Sequence, residues 1–327
     1  MEPAEKHQRG ESVPKGGEPH PALLLFAPFG DERERVCRLS AGFIPFGHST
    51  RGYSHSPPSG TIECYLRNFS KKINKMKYIY RIYQLVICLP ILIVASILTS
   101  LTTVVGCMLG NGHFWGYYPG KWWSQLWIRI LFLPVKVEGR EHLKKGQSYV
   151  FVANHQGAFD IFLIYGFLGR NFKWMMKKGI RNIPLVGLAC VYAHHIFVDK
   201  SGPSKIRASY DKAREVLKEG MSLVVFPEGA RTFTGHMGVF RRGAFMLADE
   251  LQLPVCPLTI NGSFDVKPRM KDIYWVFWHP IRLTIHEPIQ PIGKGPENIK
   301  NQMTKSYDAI MQGLDKEYQG FVENPDQ

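Results

Sequence analysis

Six cysteines lie scattered through the 327 residues, with no C-x-x-C pair and no zinc-ligand spacing. A disulfide framework and a structural zinc site are therefore excluded, and a reduced compartment is the expectation. The sequence also lacks a G-x-S-x-G elbow and a Walker-type phosphate loop, which removes support for a serine hydrolase or a nucleotidase. No internal repeat is visible. Acidic charge is scarce: 27 Asp and Glu stand against 41 Lys and Arg, a formal net charge of +14. That imbalance favours anionic partners, whether nucleic acid, phosphorylated small molecules or an acidic membrane surface. With 21% charged residues and a slightly negative mean hydropathy, the chain is no polytopic transporter. With 45% hydrophobic residues it is not a wholly disordered chain either.

One long stretch lacks charge altogether. From Ile82 to Gly120 there is no Asp, Glu, Lys or Arg, and Leu85–Leu109 within it exceeds the roughly 20 residues that cross a bilayer core as a helix. Membrane insertion is the expectation; a buried core helix is the alternative. Lys71, Lys72, Lys75, Lys77 and Arg81 precede the stretch, and Lys121, Arg129, Lys136 and Arg140 follow it. A single span wants one basic flank. Pro90, Gly106 and Gly110 offer places to bend, so a re-entrant hairpin is expected. The aromatic-dense run Trp115–Trp127 would follow it as an interfacial helix. The same run has the composition to stack nucleic-acid bases, but a membrane interface explains its neighbourhood more simply. Upstream, residues 1–75 are rich in Pro, Gly and charge and read as a disordered extension without a signal peptide. A natural start at Met76 is the equal alternative.

From Val135 the pattern turns to strands alternating with helical periods. SYVFVANH, HIFVDK, SLVVFPEG and LPVCPLTING are short apolar runs closed by polar turns. Between the second and third, Pro203 opens a helical pattern that Ser201 or Ser204 would cap and Gly220 would end. Ile206, Tyr210, Ala213 and Leu217 fall on its apolar face. YWVFWHPIRLTIHEPI reads as a hairpin turning at His279-Pro280. The expected fold is α/β, a mostly parallel central sheet with flanking helices, preceded by the N-terminal membrane segment. Three regions result: the extension (1–75), the anchor (76–134) and a catalytic domain (135–320).

Two polar clusters close two of these strands. NHQGAFD holds Asn154, His155 and Asp160. Histidine is the side chain best placed to exchange a proton near neutral pH, and a carboxylate on its second nitrogen would fix the tautomer. On a continuous helix five residues place two side chains roughly 140° apart. His155 and Asp160 therefore pair only if His155 sits in the loop and Asp160 enters the first helical turn. A helix-capping Asn154 beside a surface histidine is the plainer alternative. FPEGAR, Phe226 to Arg231, runs on toward Arg241, Arg242 and Gly243 at a helix start. A glycine turn with arginine nearby offers backbone donors and a bidentate guanidinium for phosphate; solvated charges on a turn are the alternative. His194-His195 makes a poor metal site, because adjacent strand residues face opposite ways.

H-x-x-x-x-D followed by F-P-E-G-x-R resembles the glycerolipid acyltransferases, most closely the 1-acyl-sn-glycerol-3-phosphate acyltransferase type. The similarity runs in order from Val135 to Ser263 through KKGIRNIPLVG, HHIFVDK, FPEGAR and LPVCPLTI. The resemblance implies acyl transfer to a lysophosphatidate without a covalent enzyme intermediate. His155 would be the general base and Asp160 its orienting partner. Arg231 would bind the acceptor phosphate, with Gly229 in the turn, Glu228 ordering the site, and Lys178 and Lys200 as further binding residues. The donor would be acyl-CoA or acyl-carrier protein, with no metal or other cofactor, at a membrane with the catalytic domain on its cytoplasmic side. Four positions depart from the family pattern: His194 for Gly, Lys200 for Arg, Gly179 for Glu and Ala230 for Thr or Ser. These leave open another acceptor, such as glycerol 3-phosphate, a different lysolipid or a lipoamino acid. A non-catalytic protein that binds anionic lipid is the rival from another class.

Overall fold

A computed structural model describes residues 75–199, 201–218, 221–269 and 274–320. The expectations for residues 1–74, Lys200 and Gly220 lie outside these. The apolar stretch forms one helix, α1 (Lys75–Leu109), 35 residues long and so about 52 Å at 1.5 Å per residue. Of the three expected bend points it runs through Pro90 and Gly106 and ends only at Gly110. Ahead of Pro90 it widens into a π turn, Gln84–Cys88, in which the Leu89 N–H reaches back to the Gln84 carbonyl. The wider turn makes room for a ring that otherwise crowds the carbonyl four residues back. Gly106 is no hinge either. It lets Trp115 lie flat on the helix, since a Cβ there would come within 2.3 Å of the indole.

The chain reverses at Gly110, Asn111 caps a short turn (Gly112–Trp115), and α2 (Tyr118–Ile130) runs back along α1. Three hydrogen bonds fasten the pair: Trp123 Nε1 to Ser96 Oγ, Tyr80 to the Leu131 carbonyl and Tyr83 to the Ile130 carbonyl, each 2.8 Å. The hairpin thus lies between α1 and α2 rather than within the apolar segment. Only 17% of the most apolar stretch of α1 is buried, with Leu85, Ile93, Val94, Leu98 and Val105 exposed. A core helix would be covered. By length and composition α1 suffices to cross a membrane.

Among the described residues seven strands make one sheet, ordered β1-β7-β6-β2-β5-β3-β4. They are β1 (Val135–Glu138), β2 (Val150–Ala153), β3 (Phe172–Lys177), β4 (Ile196–Val198), β5 (Ser222–Val225), β6 (Val255–Asn261) and β7 (Ile281–Ile285). Every pairing is parallel except β6 with β7. The mostly parallel sheet expected from the alternating pattern is present. Strand β2 shows why its run is apolar throughout: Phe151 and Ala153 enter one core, Val150 and Val152 the other. The first core takes α1, α2 and α3 (Phe159–Phe167). The second takes α4 (Pro203–Lys218), α5 (Gly243–Glu250) and α6 (Pro296–Gly313). Helix α4 starts at Pro203 as expected and buries Ala213 and Leu217, but Ile206 is exposed.

No hairpin forms at His279-Pro280. Residues 274–280 are not a strand; instead the Gln84 carboxamide holds both polar groups of the Val276 backbone, at 2.8 and 3.0 Å. Strand β7 pairs with β1 and β6. His194 and His195 also sit otherwise than expected, ahead of β4 rather than on it, with His194 left-handed (φ 58°). His195 is buried, and its Nδ1 accepts the Trp174 N–H at 3.2 Å.

Burial pushes the His195 pKa down from 6.5 to about 3, with the nearby Lys173 ammonium adding to the shift. Between those values the unfolded chain binds a proton here that the folded chain refuses, so stability falls as pH falls from 6.5. At pH 5 the loss is about 2 kcal/mol at 1.36 kcal/mol per unit. His195→Asn, which keeps an acceptor for Trp174, is expected to flatten the decline of melting temperature between pH 7 and 5. An unchanged slope would show that His195 does not titrate on unfolding.

Candidate active site

Strands β2, β5 and β6 are mutually parallel, so the loops after them gather at one edge, the place where open α/β sheets bind ligands. Asn154, first after β2, is no helix cap. Its side chain bridges to β6, donating to the Ile260 carbonyl (2.9 Å) and accepting the Ile260 N–H (2.8 Å). With the loop root fixed, the chain curls through Gly157 and starts α3 with Asp160 in its first turn.

That curl brings His155 and Asp160 together. His155 Nδ1 lies 2.7 Å from Asp160 Oδ2, which also accepts the Gly157 N–H at 2.9 Å. Beside an ionised carboxylate, which only accepts, a neutral imidazole carries its hydrogen on Nδ1 and its lone pair on Nε2. The carboxylate is fully buried and the imidazole is 14% exposed. The ring stacks on Phe226 at 3.9 Å and 10°, and Phe226 stacks in turn on Trp174. One side of the imidazole is thus walled and its orientation fixed.

The second cluster is bonded to the first. Glu228 is buried, and its two oxygens accept the backbone N–H groups of His155 (2.7 Å) and Gly238 (2.9 Å). The Thr232 N–H donates to the His155 carbonyl at 3.0 Å. Gly229 holds φ 78°, a conformation that costs a residue with a side chain about 1 kcal/mol or more. It turns the chain beneath the Arg241 guanidinium. Arg231 lines a small cleft with Glu228, Phe233, Gly238 and Arg269. Lys178 is not among these residues. Its ammonium pairs with Asp199 at 2.8 Å and is largely exposed, a type of pair that contributes little to stability. Lys178 and the Ser201 N–H hold the Asp199 carboxyl down to about 2.

Among the described residues no group of three potential metal ligands occurs. Several neighbours escaped the sequence reading: Gly157, Phe226 as the imidazole's stacking partner, Gly238, Lys267 and Arg269. The first two lie inside the recognised motifs. Gly238 lies ten residues beyond Glu228 in the same loop, and Lys267 and Arg269 sit in the segment after β6, brought near by the sheet.

The Acyltransferase family model matches residues 134–261, from just ahead of β1 to the end of β6. This segment is an acyltransferase-family domain. The chain is 32% identical over 171 residues to the chloroplastic 1-acyl-sn-glycerol-3-phosphate acyltransferase LPAT1 of Arabidopsis thaliana, covering 51% of this chain and 47% of that protein. It is 29% identical over 230 residues to the 1-acyl-sn-glycerol-3-phosphate acyltransferase of Saccharomyces cerevisiae, covering 67% and 72%. The chain spans about half the length of the plant relatives it matches. Among solved structures it resembles the 1-acyl-sn-glycerophosphate acyltransferase PlsC of Thermotoga maritima, with TM-score 0.61 and 26% identity over 73% of this chain and 95% of that one.

Glu228 joins the two motif loops of the acyltransferase domain, so its removal is a direct test of their packing. In Glu228→Gln one backbone N–H faces an NH₂ group in place of an oxygen. The expected loss is about 2 kcal/mol, from one buried donor left unpaired, read as a lower melting temperature. An unaltered melting temperature would mean that the loops hold together without the carboxylate.

Proposed function

We propose that this protein transfers a fatty acyl group from a thioester, acyl-CoA or acyl-carrier protein, to the sn-2 hydroxyl of 1-acylglycerol 3-phosphate, forming phosphatidic acid. The observation that carries the reading is the His155–Asp160 pair at 2.7 Å, tied through Glu228 and Thr232 to the turn that bears Arg231. The relatives described above are named for this reaction.

In this mechanism Nε2 of His155 takes the hydroxyl proton as the acceptor oxygen attacks the thioester carbonyl. Asp160 keeps the imidazole in the required tautomer and stabilises the imidazolium that forms. The carbonyl π electrons move to oxygen, and the tetrahedral oxyanion then collapses and breaks the C–S bond. The thiolate leaves and takes the proton back from His155, giving one ester and one free thiol with no covalent enzyme intermediate. Arg231 binds the acceptor phosphate, and Glu228 and Gly229 shape the turn that presents it. Lys178, paired with Asp199 at the surface, belongs to the same reading as an outer positive charge, and Lys200, outside the described residues, belongs to it by its place in the motif. Proximity, a base and charge stabilisation supply the catalysis, so the reaction needs no resident cofactor.

Both lipids live in a membrane, and α1 gives the enzyme its hold there. Helix α1 is fastened to the domain along its length, from Gln84 at Val276 to Gly106 beneath Trp115. In the same reading its exposed apolar face meets lipid, with the domain outside on the cytoplasmic side.

The test uses detergent-purified protein with oleoyl-CoA or oleoyl-acyl-carrier protein and 1-oleoylglycerol 3-phosphate, following thiol release and phosphatidate by mass spectrometry. His155→Ala is expected to lower turnover by roughly 10²–10⁴-fold, the usual contribution of a positioned base. Asp160→Asn is expected to fall in the same range. Folded wild-type protein that releases no thiol with either donor sinks the assignment. Turnover that survives in His155→Ala removes the base role.

A further inference from the structure

The His155–Asp160 pair leaves one polar atom without a role. Asp160 Oδ2 takes both donors, the imidazole and the Gly157 N–H, whereas Oδ1, equally buried, has no hydrogen-bond partner among the described residues. A carboxylate oxygen kept from water without a donor is costly. The complementary atom is Ser263 Oγ, fully buried and likewise without a partner among the described residues. Its place is fixed from both sides. Asn154 clasps β6 at Ile260, and two residues on, Gly262 takes φ 79°, where a Cβ would come within 2.1 Å of the Pro280 carbonyl oxygen. The chain then folds into the short turn Ser263–Val266, whose Val266 joins Phe159 and Leu163 of α3 in the first core. Ser263 lands against Gly157: a Cβ there would lie 2.5 Å from Ser263 Oγ and 2.4 Å from its carbonyl oxygen. A buried donor and a buried acceptor thus stand on either side of one glycine without bonding to each other.

We infer that one buried water bridges Ser263 Oγ and Asp160 Oδ1, and that Ser263 is, through it, a positioning residue of the pair. The water accepts the hydroxyl hydrogen and donates to Oδ1, which gives it the two polar partners an internal water needs. The bridge bears on the chemistry because hydrogen bonds to a carboxylate favour its charged form. With Oδ1 supplied, less of the negative charge rests on Oδ2, and the Nδ1 hydrogen is held less strongly. Nε2 of His155 then keeps its lone pair to a lower pH than it would beside a carboxylate with one bare oxygen. Other charged side chains on the adjoining loops are Glu228 and Arg231 after β5, and Asp265 and Lys267 after β6. Glu228 accepts from the His155 and Gly238 N–H groups, and Asp265 from the Tyr318 hydroxyl. The bridge stands on this geometry, and its bearing on rate rests on the acyltransferase reading above.

The full chain in detergent, with isotope-labelled histidine, supplies a readout that needs no turnover. Nuclear magnetic resonance follows the pH at which the His155 imidazole protonates, its signal assigned by loss in His155→Gln. Without a donor on Oδ1 the carboxylate presses more charge on His155, so in Ser263→Ala that midpoint should rise by about one pH unit, roughly tenfold in proton binding. Ser306→Ala, at another fully buried serine whose hydroxyl has no partner among the described residues, on α6, should leave it in place. With oleoyl-CoA and 1-oleoylglycerol 3-phosphate, the ascending limb of kcat against pH should move up by the same amount in Ser263→Ala, with KM for either substrate unchanged. A crystal structure should hold one ordered water within hydrogen-bond distance of both Ser263 Oγ and Asp160 Oδ1. A midpoint in Ser263→Ala no higher than in wild type, or raised equally in Ser306→Ala, overturns the inference, whatever the turnover. Crystal density that leaves the two atoms unbridged overturns it as well. A raised midpoint in a protein whose wild type transfers no acyl group leaves the bridge standing and overturns the lysophosphatidate reading instead.

Discussion

The site depends on one buried carboxylate that spends both oxygens on backbone. Glu228 accepts from His155 on one side and Gly238 on the other, and so fixes the loop after β2 against the loop after β5. Hydrogen bonds to a charged acceptor are the stronger kind. Here the donors are main-chain groups, so the bonds set the path of the chain as well as its stability. The orientation of the imidazole follows from that path. With the His155 backbone held, its ring has Phe226 on one face and Asp160 at Nδ1, and the other nitrogen is the one left for chemistry.

The sheet supplies the second constraint. Since β2, β5 and β6 run the same way, three loops far apart in sequence end at one edge. Strand β7 runs against β6, and β1 parallel to β7. The chain entering β1 and β7 therefore reaches the same edge, along with the start of α1. The His155 loop, the cleft lined by Arg231 and an apolar helix become neighbours through topology alone.

Much of this arrangement was legible in the residues. The runs VFVA and LVVF are apolar at every position because both faces of a central parallel strand are buried, and each closes on a polar motif. The five-residue interval from His155 to Asp160 could pair only across a loop-to-helix junction, which is where the chain places it. Less legible were strands such as β3, FKWMMK, whose lysines at both ends disguise a strand with a buried start. The expected hairpin at His279-Pro280 failed because aromatic, β-prone residues can satisfy their backbone elsewhere. Val276 does so on Gln84, 192 positions away. Arg269 carried no local signal at all; its partner is the Arg231 carbonyl, which only the folded sheet brings within reach.

The two-point grip of Gln84 on Val276 has a mechanical consequence. Phe277, next in sequence, donates its N–H to the Val266 carbonyl, and Val266 adjoins the segment that carries Lys267 and Arg269. A short relay of one side-chain clasp and one main-chain bond thus runs from the apolar helix to the segment at the rim of the cleft. An anchor mounted this way has no gimbal: tilting the helix tilts the rim with it. The height of the cleft above whatever surface holds α1 is built into the fold, and a change in that height requires breaking the carboxamide clasp.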